Sequence, residues 1–308
     1  MPRKIVVATA SLRRGGARRT VEANLTAAEQ LLQRAAATAP DIVCLPELFP
    51  YTDVPYRMAS DVAEPLGGPT TERIGAVARR HGMYVVCPML ERTGDHCYNT
   101  AALIDRHGAI VGVYRKIHPT VSEVEQGVAA GERVAVFRTD FGRVAVLICF
   151  DLMFPARWQE AKQLGVEIVF WPSTYEGGLP LAARACDHEY YVVSANPVWH
   201  SRILDITGHE LASTGQRLEV AWAQIDLEKR LFSTDYNMAQ YHAILARYGR
   251  RVTINVLSPE GAFTLECHDP ALSVAAVAEE FGLETQDDYL RRSAALQEEA
   301  RHPDDDDC

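Results

Sequence analysis

The sequence lacks the features that mark membrane spans, disulfide frameworks and zinc sites. Its longest apolar runs are far shorter than a membrane-spanning helix requires. Its 7 cysteines are odd in number and widely spaced, and no two of them form a C-x-x-C pair, so neither a disulfide framework nor a zinc knuckle is indicated. The one local group of cysteine and histidine, around His96 and Cys97, fits no standard zinc spacing. We therefore expect no metal, no other cofactor and no membrane partner.

Positive charge is also scarce. The 308 residues include 31 Lys or Arg against 41 Asp or Glu, which gives a formal net charge of −10. Such a balance argues against general binding of nucleic acid or of an anionic membrane surface, although it does not bear on a small substrate. The chain enters a strand-like run, Ile5 to Ala8, without an apolar signal segment. These observations predict a cytoplasmic protein.

The chain does contain enough apolar material, 47% of its residues, for one large core. Strand-like and helix-like segments alternate to about residue 226, which predicts an α/β fold. From Leu227 to about Arg247 the pattern becomes helical. We assign residues 1–250 to the main domain, 251–302 to a largely helical extension that packs on the domain or on a dimer partner, and the acidic run 303–308 to a disordered tail.

The most informative stretch ends at Cys149. Five apolar residues, Val144 to Ile148, predict a buried strand, and Pro155 suits the first turn of a following helix. A thiol at a strand-to-helix turn lies near unpaired backbone N–H groups, which favour the nucleophilic thiolate. The plain alternative is a buried structural cysteine, which is the common role of this residue type.

Two charged residues also follow predicted strands. Glu47 comes after the strand Ile42 to Leu45 and stands between two prolines, so its carboxylate is held stiffly and is a candidate general base. Lys116 follows the strand Val111 to Tyr114, where a fixed positive charge could stabilise a developing oxyanion. Taken singly, each is better explained as a surface residue, because Glu and Lys are mostly exposed.

Taken together, the settings of these three residues resemble the nitrilase, or carbon–nitrogen hydrolase, superfamily. The matching segments in chain order are Leu45-Pro46-Glu47-Leu48-Phe49, Tyr114-Arg115-Lys116-Ile117-His118-Pro119 and Leu147-Ile148-Cys149-Phe150-Asp151. The resemblance extends over about residues 3 to 230. It implies a four-layer α-β-β-α sandwich, and it implies a dimer-based homo-oligomer with C-terminal segments in the interface.

The resemblance also implies a role for each residue. Cys149 resembles the nucleophile that attacks a nitrile, amide or carbamoyl carbon and forms a thioester-type intermediate. Glu47 resembles the general base, and Lys116 resembles the cation that stabilises the oxyanion, with the backbone N–H of Phe150 as second donor. Such covalent catalysis needs an activated thiol, a proton acceptor and a preorganised positive site.

Many members carry a second glutamate after the lysine. The loop predicted from Val121 to Gly131 offers Glu123 and Glu125. The spacing favours Glu123, while Glu125 stands closer to the position in some amidases, and either one could be a solvated loop residue. We take Glu123 as the fourth catalytic candidate.

The substrate is less well defined by the sequence. An aromatic residue followed by Asp, here Phe150-Asp151, favours an amide or N-carbamoyl substrate over a nitrile, for which the family usually has Trp-Glu. Ala156 replaces a glutamate that is frequent in the family, so recognition of the acid side stays open. Candidates for the pocket wall, each of which could equally serve packing, are Phe150, Tyr51, Trp171, Ser173, Tyr175, Asn196 and Trp199.

Three further possibilities stay open. The Gly- and Arg-rich loop from Ser11 to Arg19 is either a solvated basic surface or a holder for an anionic substrate. The chain could be a silent relative that acts by binding, although a binding module has no need of all three strand-end residues. It could also be an acyltransferase, in which an amine or alcohol intercepts the thioester.

Overall fold

The computed structural model describes residues 1–12, 15 and 18–301. Contacts divide the chain into two compact units, residues 5–225 and residues 1–4 together with the chain from Asp226 onward. Part of the Arg-rich loop, at 13–14 and 16–17, and the predicted tail, 303–308, lie outside the described residues. The boundary predicted near residue 250 stays a prediction.

Most of the regular structure lies in the larger unit. Its strands are β1 (Lys4–Ala10), β2 (Ile42–Cys44), β3 (Tyr84–Thr93), β4 (His96–Ile104), β5 (Ile110–Arg115), β6 (Val128–Ala129), β7 (Val136–Arg138), β8 (Arg143–Val146), β9 (Ile168–Pro172), β10 (Tyr191–Ala195), β11 (Arg202–Leu204), β12 (Glu210–Ser213) and β13 (Val220–Asp226). Its helices are α1 (Val21–Ala35), α2 (Pro69–His81), α3 (Val121–Glu125), α4 (Pro155–Gln163) and α5 (Gly178–His188).

These strands form two sheets. The first has the order β13-β1-β2-β3-β4-β5, with β6 paired to β4, and the second has the order β12-β11-β10-β9-β8-β7. In each sheet the central strands are parallel: β1, β2 and β3 in the first, and β8, β9 and β10 in the second. The hydroxyl of Thr9 in β1 donates to the carbonyl of Ser194 in β10 at 2.6 Å, so the sheets face each other directly.

Helices cover the outer faces of both sheets. Helix α1 presents Leu25, Ala28, Leu31, Leu32 and Ala35 at helical spacing to a core shared with α2 and the first sheet. Its first turn is capped by the Thr20 side chain, which accepts the Ala23 N–H. On the other side, α5 packs on β10 and α4 packs on α5. The α-β-β-α order implied by the resemblance is therefore confirmed.

The smaller unit has its own sheet and core. Its strands are β14 (Arg230–Ser233), β15 (Val252–Leu257) and β16 (Ala262–Cys267), and its helices are α6 (Tyr241–Tyr248), α7 (Val274–Phe281) and α8 (Gln286–Arg301). The strands pair antiparallel in the order β14-β16-β15. Phe232 stacks on Phe263, with 5.3 Å between ring centroids, inside a core that also takes residues from α6 and α7.

The helix predicted from Leu227 to Arg247 is wrong in its first half. Residues 230–233 form the strand β14, whose partner is β16, and the helix α6 begins only at Tyr241. Leu231 and Phe232 are both buried, so the segment is stabilised by pairing with a distant strand rather than by its local pattern. The helical C-terminal segment itself is confirmed. No helix in the described part of the chain is long and apolar enough to cross a membrane.

The packing of α1 gives a direct test of the first core. We expect Leu32→Ala to lower the free energy of unfolding by about 2–5 kcal/mol, because the fully buried leucine leaves a cavity. Urea unfolding followed by tryptophan fluorescence measures this in the larger unit, which holds all 4 tryptophans. The exposed neighbour Gln33, changed to Ala, should shift the midpoint by less than about 0.5 kcal/mol. Equal midpoints for the two variants would contradict this packing.

Candidate active site

The three strand-end residues come together between the two sheets. Glu47 follows β2 and Lys116 follows β5 in the first sheet, whereas Cys149 follows β8 in the second. The Lys116 Nζ lies 2.9 Å from Glu47 Oε1, and both side chains are almost completely buried. The charges of Glu47 and Lys116 both act on the pKa of the Cys149 thiol. The thiol, the carboxylate and the ammonium therefore share one buried site.

Glu123 joins this cluster. Its carboxylate accepts the Lys116 ammonium at 3.0 Å and 2.8 Å and also accepts the backbone N–H of Thr120 at 2.7 Å. The segment predicted as a loop begins as the short helix α3, in which Thr120 and Glu123 form a capping box. Glu125 lies two residues further along α3 and is exposed. Of the two candidates, the structure places Glu123 at the lysine.

Asn99 is a member of the cluster that the sequence analysis missed. It lies in β4 and is fully buried. Its side-chain Nδ2 donates to Glu47 Oε1 and to Glu123 Oε1, both at 2.7 Å. A single asparagine in a strand carries no charge and belongs to no motif that the sequence analysis used. The side of the sheet on which it lies is known only once β4 is paired with its neighbours.

Opposite charges keep the cluster ionised. Burial disfavours the Lys116 ammonium, but the charges of Glu47 and Glu123 and the hydrogen bond to Glu123 help to outweigh burial and hold the pKa of the lysine above its ordinary value. Burial also disfavours the Glu123 carboxylate, but Lys116 and the hydrogen bonds from Thr120 and Asn99 leave its pKa below 4.5. The lysine therefore keeps its charge as the pH rises past 10.5, and Glu123 keeps its charge until the pH falls below 4.5.

The nucleophile candidate has a strained backbone. Cys149 has a φ of 47°, in the left-handed region that a residue with a side chain seldom adopts. The indole N–H of Trp171 donates to the Cys149 carbonyl at 3.1 Å, and Thr174 Oγ1 lies 3.7 Å from the sulfur. Such a conformation costs about 1–3 kcal/mol and persists only where its surroundings fix it.

The thiol itself is protonated at rest, which corrects the expectation of a stabilised thiolate. Burial first, and then the charge of Glu47, raise the pKa of Cys149 to about 12. Lys116, the Thr174 N–H and Ser173 act in the opposite direction but do not prevail. The thiol therefore needs a proton acceptor when it reacts. Glu47 Oε2 is buried and has no hydrogen-bond partner within the described residues.

Asp151 ties the nucleophile turn to the lysine strand. Its Oδ2 accepts the Ile148 N–H at 2.9 Å and the Tyr114 hydroxyl at 2.7 Å. Its Oδ1 accepts the His118 N–H at 3.0 Å and lies 2.9 Å from His118 Nδ1. Tyr114 and His118 flank Lys116, so one fully buried carboxylate joins the second sheet to the first at the site.

The predicted pocket residues differ in what they touch. Ser173 and Tyr175 both lie close to Cys149. A hydrogen bond from Ser173 lowers the pKa of the Cys149 thiol. Burial, and then Cys149, raise the pKa of the Tyr175 hydroxyl to about 12. Trp171 packs edge-on against Tyr175, with 5.2 Å between ring centroids, and Phe150 is partly exposed.

Two other candidates have structural contacts. The Tyr51 hydroxyl is 3.5 Å from the Leu90 carbonyl, and Asn196 Oδ1 accepts the Val198 N–H at 3.0 Å. Trp199 is 44% exposed. Tyr56, which the sequence analysis did not single out, faces the site: burial, then Glu123 and Glu47, raise the pKa of its hydroxyl.

No group of three or more His, Cys, Asp or Glu residues that could hold a metal ion occurs in the part of the chain that the structure describes. What the cluster brings together between the two sheets is a thiol, two carboxylates and a buried ammonium, the kinds of group that covalent catalysis by a thiol requires. Residues 7–230 match the Carbon-nitrogen hydrolase family, and the chain belongs to it.

Similar proteins include several amidases. The omega-amidase NIT2 of Xenopus tropicalis is 30% identical over 233 residues, which cover 67% of this chain and 83% of that protein. The beta-ureidopropionase of Arabidopsis thaliana is 33% identical over 188 residues, which cover 54% of this chain and 45% of that protein.

Solved structures share the fold. Nit3 of Saccharomyces cerevisiae, a member of branch 10 of the nitrilase superfamily, has a TM-score of 0.63 and 25% identity, over 72% of this chain and 90% of that one. An amidase from Nesterenkonia sp. has a TM-score of 0.65 and 21% identity, over 78% of this chain and 95% of that one. The second likeness shows the fold alone.

The Asp151 network predicts a large effect from a small change. In Asp151→Asn one acceptor oxygen becomes an N–H₂ group that faces either His118 or the Ile148 N–H and Tyr114 hydroxyl. We expect a loss of about 1–3 kcal/mol in the free energy of unfolding, because buried donors are left without acceptors, together with a larger loss of activity. Urea unfolding and assay of the same samples measure both. Asp187→Asn, an exposed change in α5, should shift the free energy by less than about 0.5 kcal/mol; a similar shift in both variants would refute the network.

Proposed function

We propose that this enzyme hydrolyses a linear amide or an N-carbamoyl compound, releases ammonia and works through a covalent thioester on Cys149. The observation that carries the proposal is the burial of Lys116 between Glu47 and Glu123, with the Cys149 thiol in their field. A binding module has no need of this arrangement, because a buried cluster of paired charges adds little stability over apolar residues of the same size.

The first half of the reaction forms the thioester. As the sulfur attacks the carbonyl carbon, the thiol proton passes to Glu47, whose Oε2 is free to take it. The negative charge that develops on the carbonyl oxygen is stabilised by the Lys116 ammonium and by the Phe150 N–H. Glu47 then gives its proton to the leaving nitrogen, the C–N bond breaks, and ammonia departs.

The second half returns the enzyme to its resting state. Glu47 takes a proton from water, and the resulting hydroxide attacks the thioester carbon. The oxyanion again forms beside Lys116, the C–S bond breaks, and the sulfur recovers the proton from Glu47. Lys116 donates hydrogen bonds throughout but loses no proton, because its pKa is held above the ordinary value. Glu123 holds the ammonium with both carboxylate oxygens, at 3.0 Å and 2.8 Å.

Amides are preferred to nitriles in this proposal. The omega-amidase and beta-ureidopropionase relatives support that preference, as does the Phe150-Asp151 pair after the nucleophile. The pocket wall in this proposal includes Ser173, Tyr175 and Tyr56, which interact electrostatically with the cluster, and Phe150, which follows the nucleophile. Tyr51, Trp171 and Asn196 stay in the proposal as supporting walls.

Two properties of the whole enzyme belong to the same proposal. A dimer-based homo-oligomer is supported by the exposure of Leu179 in α5 and of Met153 just before α4, because α4 and α5 pack together. A reducing compartment such as the cytoplasm is supported by the five buried cysteines of the described chain, which are free thiols: Cys44, Cys87, Cys97, Cys149 and Cys267.

Ammonia release from a panel of substrates tests the proposal. The panel contains butyramide, an ω-amide of a dicarboxylic acid, an N-carbamoyl amino acid and an aliphatic nitrile. We expect turnover of an amide or carbamoyl compound by the wild type and a loss of more than about 10³-fold in Cys149→Ala. Cys186→Ala, which removes an exposed cysteine of α5, should keep full activity. Ammonia release that survives Cys149→Ala would exclude the thiol mechanism. If an added primary amine were acylated faster than the free acid forms, the enzyme would be an acyltransferase.

The pKa shifts predict the alkaline side of the pH profile. The Cys149 thiol, with a pKa of about 12, and the Lys116 ammonium, with a raised pKa, both keep their protons through neutral and mildly alkaline pH. We therefore expect kcat/KM for the best amide to show no falling limb between about pH 7 and pH 10. A fall centred near pH 9 would mean that the Cys149 thiol titrates at its ordinary value.

A further inference from the structure

Asn99 binds the same pair of carboxylate oxygens as the lysine does. Its Nδ2 lies 2.7 Å from Glu47 Oε1 and 2.7 Å from Glu123 Oε1, while Lys116 Nζ lies 2.9 Å and 3.0 Å from those two atoms. Its backbone carbonyl accepts the Lys116 N–H at 2.8 Å. One residue of β4 therefore fixes the lysine backbone and both acids.

The chemistry of the contacts fixes the orientation of the amide. The opposite orientation would turn the Asn99 Oδ1 toward two carboxylates, which offer no hydrogen to it. With Nδ2 inward, each of the two amide hydrogens meets one carboxylate. Oδ1 is then buried without a hydrogen-bond partner in the described chain. The two donor contacts of the amide are therefore made although its acceptor stays unpaired, which costs free energy.

The consequence falls on Glu47. Its Oε1 receives two donors, Asn99 and Lys116, whereas its Oε2 is buried and receives none from the described residues. A carboxylate held by one oxygen cannot turn its other oxygen freely, so the proton-accepting atom is set in advance. A neutral donor is required here, because two carboxylates already share one ammonium and a third acid would repel them.

We propose that Asn99 is a positioning residue for catalysis: by donating one amide hydrogen to Glu47 and the other to Glu123, it holds both carboxylates against Lys116 and leaves Glu47 Oε2 as the oxygen that takes the thiol proton. The proposal rests on the proposed function, since it assigns a partner to the general base. Asn99 touches neither substrate nor sulfur in this scheme and acts only through the two acids.

The test is the pH dependence of Cys149 alkylation by iodoacetamide between pH 4 and pH 9, read by mass spectrometry of the Cys149 peptide. The state with a neutral thiol and ionised Glu47 has the same number of protons as the state with a thiolate and protonated Glu47. Wild type should therefore show a plateau at neutral pH that falls on the acid side as Glu47 is protonated. Glu47→Gln should lose the plateau and show a rate that rises tenfold per pH unit.

Asn99→Leu should keep the plateau but move its acid fall upward by about one to two pH units, because a hydrogen bond to a charged group contributes about 1.5–3 kcal/mol. Asn99→Asp, which keeps the size but adds a third acid, should move it at least as far and serves if the leucine variant does not fold. The matched control is Thr100→Val, the buried neighbour in β4 that donates to Glu91 at 2.8 Å; its acid fall should stay in place.

The outcomes separate the two proposals. An acid fall at the wild-type position in a folded Asn99 variant overturns the positioning role and leaves the enzyme mechanism standing. A shift that Thr100→Val reproduces also overturns it, because the effect would then be a general loosening of β4. A wild-type profile without a plateau, unchanged by Glu47→Gln, would instead refute Glu47 as the base and with it the proposed function.

Discussion

The site depends on one buried ammonium shared by two carboxylates. Lys116 is 1% exposed, and removing such a charge from water costs several kcal/mol unless its hydrogen bonds are met with good geometry. The three partners come from different segments: Glu47 from the turn after β2, Glu123 from α3, and Asn99 from β4. The cluster therefore exists only when the first sheet is complete, and it leaves one net negative charge in a water-poor space.

Burial, together with that negative charge, keeps the nucleophile protonated. Backbone N–H groups at a turn favour a thiolate, yet burial and the nearby Glu47 act more strongly and keep the sulfur protonated. The reaction then moves a proton from sulfur to carboxylate and does not create a new charge. A neutral resting thiol is also less easily oxidised or alkylated by other compounds, because these reactions require the thiolate.

The sequence permits a good prediction of the strand-end residues and a poor one of what supports them. Glu47, Lys116 and Cys149 could be found because apolar runs mark where strands end, and each is followed by a reactive side chain. Glu123 was favoured over Glu125 by spacing, and the Thr120-x-x-Glu123 capping box would have supported that choice. Asn99 could not be found, because the face of β4 on which it lies is fixed by neighbouring strands.

The remaining errors have the same origin. The strand β14 was predicted as helix because its partner β16 lies some thirty residues downstream, and pairing at that range leaves no local signal. The pKa of Cys149 was predicted from its own turn, whereas Glu47, remote in sequence, contributes the second largest effect. Local sequence patterns predict single helices and strands. The strand β14 and the pKa of Cys149 were both mispredicted because they depend on contacts between segments that are distant in sequence.

The division of the site between two sheets explains why Asp151 matters. Glu47 and Lys116 belong to the first sheet and the sulfur to the second, so a small sliding of one sheet over the other would separate base from nucleophile. Asp151 opposes that motion, since its carboxylate holds Ile148 of the second sheet and Tyr114 of the first at once. Misplacement by about 1 Å can cost about 10²-fold in rate, whereas a single hydrogen bond between the sheets contributes only about 0.5–1.5 kcal/mol to the free energy of unfolding. Activity should therefore be more sensitive than stability to changes in the core between the sheets, and the strained backbone of Cys149 marks the place where that sensitivity is concentrated.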